Sequence, residues 1–288
     1  MTMLPERLAD VAAWAREREA IRIRKDAGAP WPWTTNALLR DFRWCNVRRC
    51  DDRVTRELLA SWYSPASEPS EHVVAAALAR LVNWPDALLD STGGQPFRLA
   101  ALREIRQRLA ARAARKEKVF TGAYIVPGVP GRSKVDSVCD LVDAIAAQAP
   151  SLVGTTLRAT WRTLLGFDGL GSFLAGQVAA DLALLPAGAR WPDVATWAPI
   201  GPGSARGWNR LTGQPVGRHV SQDEFDEALP RFIGACRERF PEIWAAKALV
   251  GQDCQSLLCE LDKYWRLRAG EGSVRARYQP GGLQAALL

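Results

Sequence analysis

Two short stretches set acids among bases at spacings that could do chemistry. In Asn46-Val-Arg-Arg-Cys-Asp-Asp-Arg53, the adjacent carboxylates Asp51 and Asp52 stand among Arg48, Arg49 and Arg53. Such a cluster can hold a divalent ion or orient guanidinium groups; structural salt bridges and helix capping explain it equally well. In Cys259-Glu-Leu-Asp-Lys-Tyr-Trp-Arg266, Glu260 lies three residues before Lys263, and Asp262 four before Arg266. These are helix ion-pair spacings, so the residues alone favour plain pairs over proton transfer.

Two glycine turns add backbone donors. Gly169-Leu-Gly171, with Ala175 four residues on, lies between two helical stretches at about 155–184. In a helix-hairpin-helix, such glycines bring N–H groups to a helix N-terminus, where they hold a DNA phosphate without reading sequence. An ordinary αα-hairpin is the bland alternative. Gly201-Pro-Gly203-Ser-Ala-Arg206-Gly-Trp-Asn-Arg210 reads as a rigid loop entering a helix. Its two arginines favour anion binding over a plain connection.

The elements that must position these groups are helices. Apolar periodicity predicts them at 4–24, 71–82, 97–118, 135–147, 155–165, 172–184, 222–238 and 241–267. A further helix after Asp51 or Asp52 runs through Val54, Leu58, Leu59 and Trp62. Asp26-Ala-Gly-Ala-Pro-Trp-Pro-Trp33 breaks the first helix, and residues 91–96 and 126–134 are loops. The 97–118 helix carries Arg103, Arg106, Arg108, Arg112, Arg115 and Lys116 opposite its apolar stripe. A solvated face explains most of these better than a phosphate-tracking stripe does. The fold class is therefore all-α. One compact helical domain over 1–288 is expected, its N- and C-terminal helices sharing one lobe and the hairpin lying in the other.

Composition narrows the partners. A chain of 288 residues with net charge +7 favours an anionic partner, nucleic acid ahead of a membrane surface. No apolar run reaches the length of about 18 residues that a membrane helix needs. The start, Met1 to Asp10, holds two acids and no apolar stretch, so no signal peptide is expected and the compartment is cytoplasmic. The cysteines Cys45 and Cys50, and Cys254 and Cys259, each have four residues between them, a poor match to zinc spacing. Buried small hydrophobes are the better reading, and no metal ligands are assigned.

Five segments together resemble one family. They are 46–55, Phe120-Thr-Gly-Ala-Tyr124-Ile-Val, 169–181 ending in Asp181, 197–207 and 259–266. They resemble the α-glutamyl/putrescinyl thymine pyrophosphorylases of phages and the related helical domain of 5-hydroxymethyluracil DNA kinases. The resemblance runs from about Arg22 to Tyr278. It implies a two-lobed helix-hairpin-helix body like that of DNA glycosylases. The implied activity is a transferase: an amino acid or polyamine displaces pyrophosphate from a modified uracil in double-stranded DNA, after a 5-hydroxymethyluracil DNA kinase has acted upstream. Flipping the nucleotide out of the helix would expose the reacting carbon.

On that reading Arg48, Arg49, Arg53, Lys134 and Arg206 would clamp pyrophosphate. Glu260 and Asp262, with Lys263 and Asp52, would serve the amine and its proton. Asn46, Tyr124 and Tyr264 would contact the uracil; Asp51 and Arg266 complete the substrate set. Gly169, Gly171, Gly201, Gly203 and Arg210 would meet DNA. No cofactor is required, although Mg²⁺ at the acid pair is an option. The chain lacks Gly-x4-Gly-Lys-[Ser/Thr], which speaks against kinase chemistry by this chain alone.

A DNA glycosylase is the main competitor, because Asp193 follows Gly171 at a distance similar to that of its catalytic aspartate. Against it, Phe173 replaces the lysine nucleophile of the bifunctional enzymes, and the four-cysteine iron–sulfur motif is missing. Helix capping is the bland role for Asp193. A non-catalytic DNA-binding partner of the kinase is a third reading, disfavoured by the acids.

Overall fold

Proline sets where many of these helices start, because its fixed φ suits the first turn and its missing N–H has no partner there anyway. The computed structural model describes residues 1–121, 126, 128–271 and 277–278, and among the described residues it contains helices and no strand. An isolated bridge pairs Phe42 with Arg277. In chain order the helices are α1 (Pro5–Asp26), α2 (Ala37–Asp41), α3 (Arg53–Glu57), α4 (Pro69–Val82), α5 (Pro85–Ser91), α6 (Leu102–Ala114) and α7 (Lys134–Gln148). They continue as α8 (Leu157–Leu164), α9 (Ser172–Leu182), α10 (Pro202–Leu211), α11 (Gln222–Arg239), α12 (Pro241–Ala246) and α13 (Gly251–Arg268). Proline opens α1, α4, α5, α10 and α12.

The all-α expectation holds, with differences in detail. The stretch from Pro241 divides into α12 and α13, because the Asp253 carboxylate accepts the Val250 N–H and caps a new helix there. The stretch from Phe97 opens with a 3₁₀ turn, Leu99–Ala101, and its α-helix ends at Ala114. A one-turn π segment, Leu58–Trp62, follows α3 directly.

The chain divides into two compact units. One comprises Met1–Arg49 with Ile200–Leu288, and the other Cys50–Pro199. In the second unit α4 is apolar nearly all round and wholly buried, from Val73 through Val82, so it forms the centre. Helices α5, α7 and α9 pack on it. Three arginines of α6 are engaged with acids. Arg106 binds Asp136 and Asp140 at 2.9 Å each, Arg108 binds Glu104, and Arg112 binds Asp90. Much of that face is therefore self-compensated, as a solvated face would be.

In the first unit α13 packs against α10 at close range. A Cβ on Gly207 would overlap the Leu258 carbonyl, and one on Gly203 would overlap the Cys259 thiol. The two glycines, one helical turn apart, therefore let the backbones touch. Helices α1 and α11 pack beside this pair. Arg48 is 3% exposed and holds the unit together from within. It binds Glu19 at 3.0 Å and donates to the carbonyls of Ile243 and Lys247. Burial pushes the Glu19 carboxyl up, but the guanidinium groups of Arg22 and Arg48 outweigh it and hold the group below the usual carboxylate range.

Gly207→Ala is expected to destabilise the protein by about 2–3 kcal/mol through overpacking, a fall in Tm of roughly 5–10 °C. Gly171→Ala, where a Cβ would meet open space and φ is −64°, is expected to change Tm little. Thermal unfolding followed by circular dichroism checks both.

Candidate functional site

In the first unit, residues 43–49 run antiparallel along α13. Lys263 donates to the Arg43 carbonyl, the Cys45 N–H approaches Glu260 at 3.4 Å, and the Arg49 N–H donates to Asp253 at 2.8 Å. The segment carrying Asn46, Arg48 and Arg49 thus lies beside the one carrying Glu260 to Arg266, although more than 200 residues separate them in sequence. Burial pushes the Asp253 carboxyl up, against the N–H groups of Arg49 and Val250 that it accepts.

Glu260 and Lys263 form the expected ion pair at 3.3 Å. The Lys263 ammonium also lies over the Trp44 ring, 4.2 Å from its centre. Tyr264 meets Trp44 edge-on at 6.1 Å, and its hydroxyl accepts from Asn36 at 3.4 Å. The Asn46 carbonyl oxygen accepts from Arg18 at 2.7 Å. The result is a cation held between a carboxylate, a carbonyl and an aromatic face.

Asp262 faces another way, since two residues along a helix turn a side chain by about 200°. It is 2% exposed and binds two arginines of α10, Arg206 at 2.8 Å and Arg210 at 3.0 Å. The i,i+4 partner expected for it, Arg266, is not the one it takes, because α10 delivers guanidinium groups to the buried side of α13. Arg210 is consumed by Asp262 and Glu271, with its side chain 11% exposed, so it does not serve as an outward DNA contact.

Arg206 differs. Its Nε is fixed by Asp262, its side chain is 43% exposed, and its terminal nitrogens make no hydrogen bond among the described residues. A guanidinium anchored at one edge and open at the other is a ready donor pair for an anion. Arg266 is half-buried nearby in sequence, with its Nε buried and unpartnered among the described residues. The Cys259 thiol feels Glu260, Asp262, Lys263 and Arg206, and burial pushes it up to about 12, so it stays protonated.

Other expected site residues fall elsewhere. Arg48 is a buried framework residue, not a substrate clamp, for the reason given above. Gly203 faces α13 rather than solvent, and Gly201 is the buried N-cap of α10. In the second unit Asp51 is half-buried in a 3₁₀ turn, Asp52 is the N-cap residue of α3, and Arg53 is exposed and paired with Glu57 at 3.5 Å. Lys134 opens α7, exposed, over the Phe120 ring at 4.6 Å. Tyr124 lies outside the described residues.

The hairpin is formed by α8 and α9 with an exposed turn. Gly169 takes φ +95°, a conformation other residues adopt only with strain, whereas Gly171 is an ordinary extended N-cap of α9. Asp193 caps α8 from a distance, accepting the N–H groups of Leu157 and Arg158 at 2.8 and 2.9 Å. Both its oxygens are engaged there.

Reading the sequence missed Tyr63, Arg80 and Asn83, which form a buried polar network with Thr55 and Asp181 in the second unit. One signal was available: Arg80 is a charge inside the otherwise apolar stretch 73–82 of α4. Among the described residues no group of three or more His, Cys, Asp or Glu side chains could hold a metal ion. No helix is long and apolar enough to cross a membrane, again among the described residues.

Residues 6–273 match the family described as "5-hmdU DNA kinase, helical domain". No curated protein and no solved structure matches the chain. Of the two related groups that the five segments resemble, the match names the kinase helical domain and not the pyrophosphorylases. It spans α1 to α13, and with them both the Glu260–Lys263 and the Arg206–Asp262 clusters. The chain belongs to the 5-hmdU DNA kinase helical-domain family.

Proposed function

We propose that this chain is a transferase of thymine hypermodification. It replaces pyrophosphate on 5-(pyrophosphoryloxymethyl)uracil in DNA with the amine of an amino acid or polyamine. A 5-hydroxymethyluracil DNA kinase acting upstream would supply the hydroxymethyl phosphorylation that such a substrate requires. The single observation that carries this reading is Arg206, a guanidinium preset by a buried carboxylate and open to an incoming anion.

The chemistry needs a proton acceptor and a leaving-group clamp. The substrate ammonium gives a proton to Glu260, the freed amine attacks the exocyclic CH₂, a C–N bond forms, and the C–O bond to pyrophosphate breaks. The new secondary ammonium loses its extra proton to solvent. Charge on the departing oxygen grows in the transition state, where Arg206 binds it more strongly than in the ground state. The Trp44 and Tyr264 rings, with Asn46, offer stacking and polar contacts for the base, and the exposed hairpin turn offers N–H groups to a DNA phosphate. Asp51 and Asp52, in the second unit, provide two adjacent carboxylates of the kind that take Mg²⁺.

The glycosylase reading loses ground because both Asp193 oxygens cap α8. Asp193→Ala is expected to lower stability by about 1–2 kcal/mol and to leave transfer per folded molecule unchanged, as a thermal melt paired with an active-fraction assay would register. Gly171→Val is expected to weaken binding to duplex DNA of any sequence while leaving Tm nearly unchanged, since only close phosphate approach is blocked. Unaltered affinity at moderate salt would make the hairpin merely structural.

Arg206→Ala is expected to slow transfer on the order of 10²–10³-fold at every pH. Glu260→Gln is expected to keep binding to pyrophosphorylated DNA and to recover part of its rate as pH rises, because more amine is then already neutral. Rate against pH for the two variants separates the roles. Identical profiles would make Glu260 only an ion-pair partner of Lys263.

A further inference from the structure

The second unit buries a polar network that the reaction above does not use. Arg80, 3% exposed, grips Asp181, 1% exposed, through Nε and Nη2 at 2.6 Å each. The Tyr63 hydroxyl donates to the same carboxylate at 2.7 Å. Two further Arg80 bonds reach other segments: Nη2 to the Thr55 hydroxyl at 3.1 Å and Nη1 to Asn83 at 3.3 Å. Asn83 follows α4 in the left-handed conformation, φ 49°, and donates to Thr121 at 3.3 Å.

A buried ion pair is poor evidence of stabilisation, because well-packed apolar residues of similar volume usually do as well. α4 is otherwise apolar across its core, so a charge there does something packing does not. What the planar guanidinium adds is direction. It fixes the Thr55 hydroxyl, hence the rotation of α3 about its axis, and so the side chains one turn earlier. Asp52 holds the N-cap position of that helix without a side-chain cap bond, and its backbone carbonyl accepts the Arg56 N–H at 2.9 Å; Asp51 precedes it. α3 has five residues and runs into a π turn, so it has little stability of its own and needs such a tie. Three segments that carry the family resemblance meet in this network, through Thr55, Thr121 and Asp181.

We infer that Arg80 and Asp181, acting through Thr55, are positioning residues that set the Asp51–Asp52 carboxylate pair for its substrate. The inference rests on the transferase reading for its kinetic consequence but not for its structural one. Asp181 fixes the guanidinium plane, the guanidinium fixes Thr55, and Thr55 fixes the register of the acids.

The test compares Thr55→Val, which keeps the shape and removes the hydroxyl, with Thr55→Ser, which keeps the hydroxyl. In the full chain, amide hydrogen exchange at Arg56 and the transfer kcat and KM are measured. Thr55→Val is expected to speed Arg56 exchange and lower kcat at least about tenfold with KM unchanged, and Thr55→Ser is expected to restore both. Arg56 exchange at the wild-type rate in Thr55→Val overturns the positioning role whether or not any transfer is seen. Equal impairment by Val and Ser overturns it too, since packing alone would then matter. Absence of transfer by the wild-type chain, with Arg56 exchange still responding to Thr55→Val, sinks the transferase reading and leaves the positioning intact. The triple variant Tyr63→Phe, Arg80→Met, Asp181→Leu, which removes the charges and keeps the volume, gives the same readouts should Thr55→Val not fold; wild-type exchange and kcat there also overturn the inference.

Discussion

A carboxylate almost fully withdrawn from water needs cations at bonding distance, and Asp262 takes two of them, both from α10. That requirement organises the first unit. For Arg206 and Arg210 to reach one buried acid on α13, the two helices must approach backbone to backbone, and Gly203 and Gly207 make the approach possible. Once the seam is closed, Arg210 is taken up by the buried Asp262 and the exposed Glu271, while Arg206 keeps its outer edge open. The same interaction that joins the helices therefore leaves one oriented donor group at the surface. Removing Asp262 would free Arg206 to rotate and would leave Arg210 with a charge only partly balanced, so the structure and the proposed anion binding depend on one residue.

α13 also serves a second set of contacts. Its Glu260, Lys263 and Tyr264 meet residues 43–46, while its Asp253 caps the helix and takes the Arg49 N–H. One helix thus holds Arg206 of α10 through Asp262 on one side and presents a carboxylate beside an aromatic surface on another. Both bear electrostatically on the Cys259 thiol. The proposed reaction, which must release a polyanion and deprotonate an amine, would use both environments.

Much of the fold was legible in the residues, and the reasons are physical. Apolar periodicity found α1, α4, α7, α9 and α11 closely, because each buries one stripe or a whole surface. It ran α12 into α13, because the break depends on a cap, Asp253, whose second partner Arg49 lies some 200 residues away. The Glu260–Lys263 pair could be read from spacing; the Asp262–Arg206 pair could not, since it is set by how α10 meets α13. Arg48 looked like a clamp because it stood among acids and bases, and only its carbonyl partners from Ile243 and Lys247 reveal a buried strut. Asp193 carried no mark in its neighbours of the α8 amides it caps. The glycines were read as DNA contacts, yet Gly203 meets a helix, and Gly169 alone of the hairpin pair needs a positive φ. The Arg80 network stayed hidden for the converse reason. Its members are single polar residues in apolar surroundings, individually unremarked, and only the packing of α3, α4 and α9 assembles them.

The proposed activity makes a carbon–nitrogen bond at the uracil 5-methylene and leaves the glycosidic bond alone. The most direct measurement is mass spectrometry of nucleosides from DNA bearing 5-(pyrophosphoryloxymethyl)uracil, digested after incubation with the protein and each amino acid or polyamine in turn. The expected product is a deoxynucleoside carrying one amine residue at that carbon, with pyrophosphate released in equal amount and no abasic sites. Abasic sites with free modified base would contradict it, and so would DNA left unchanged by every amine tried.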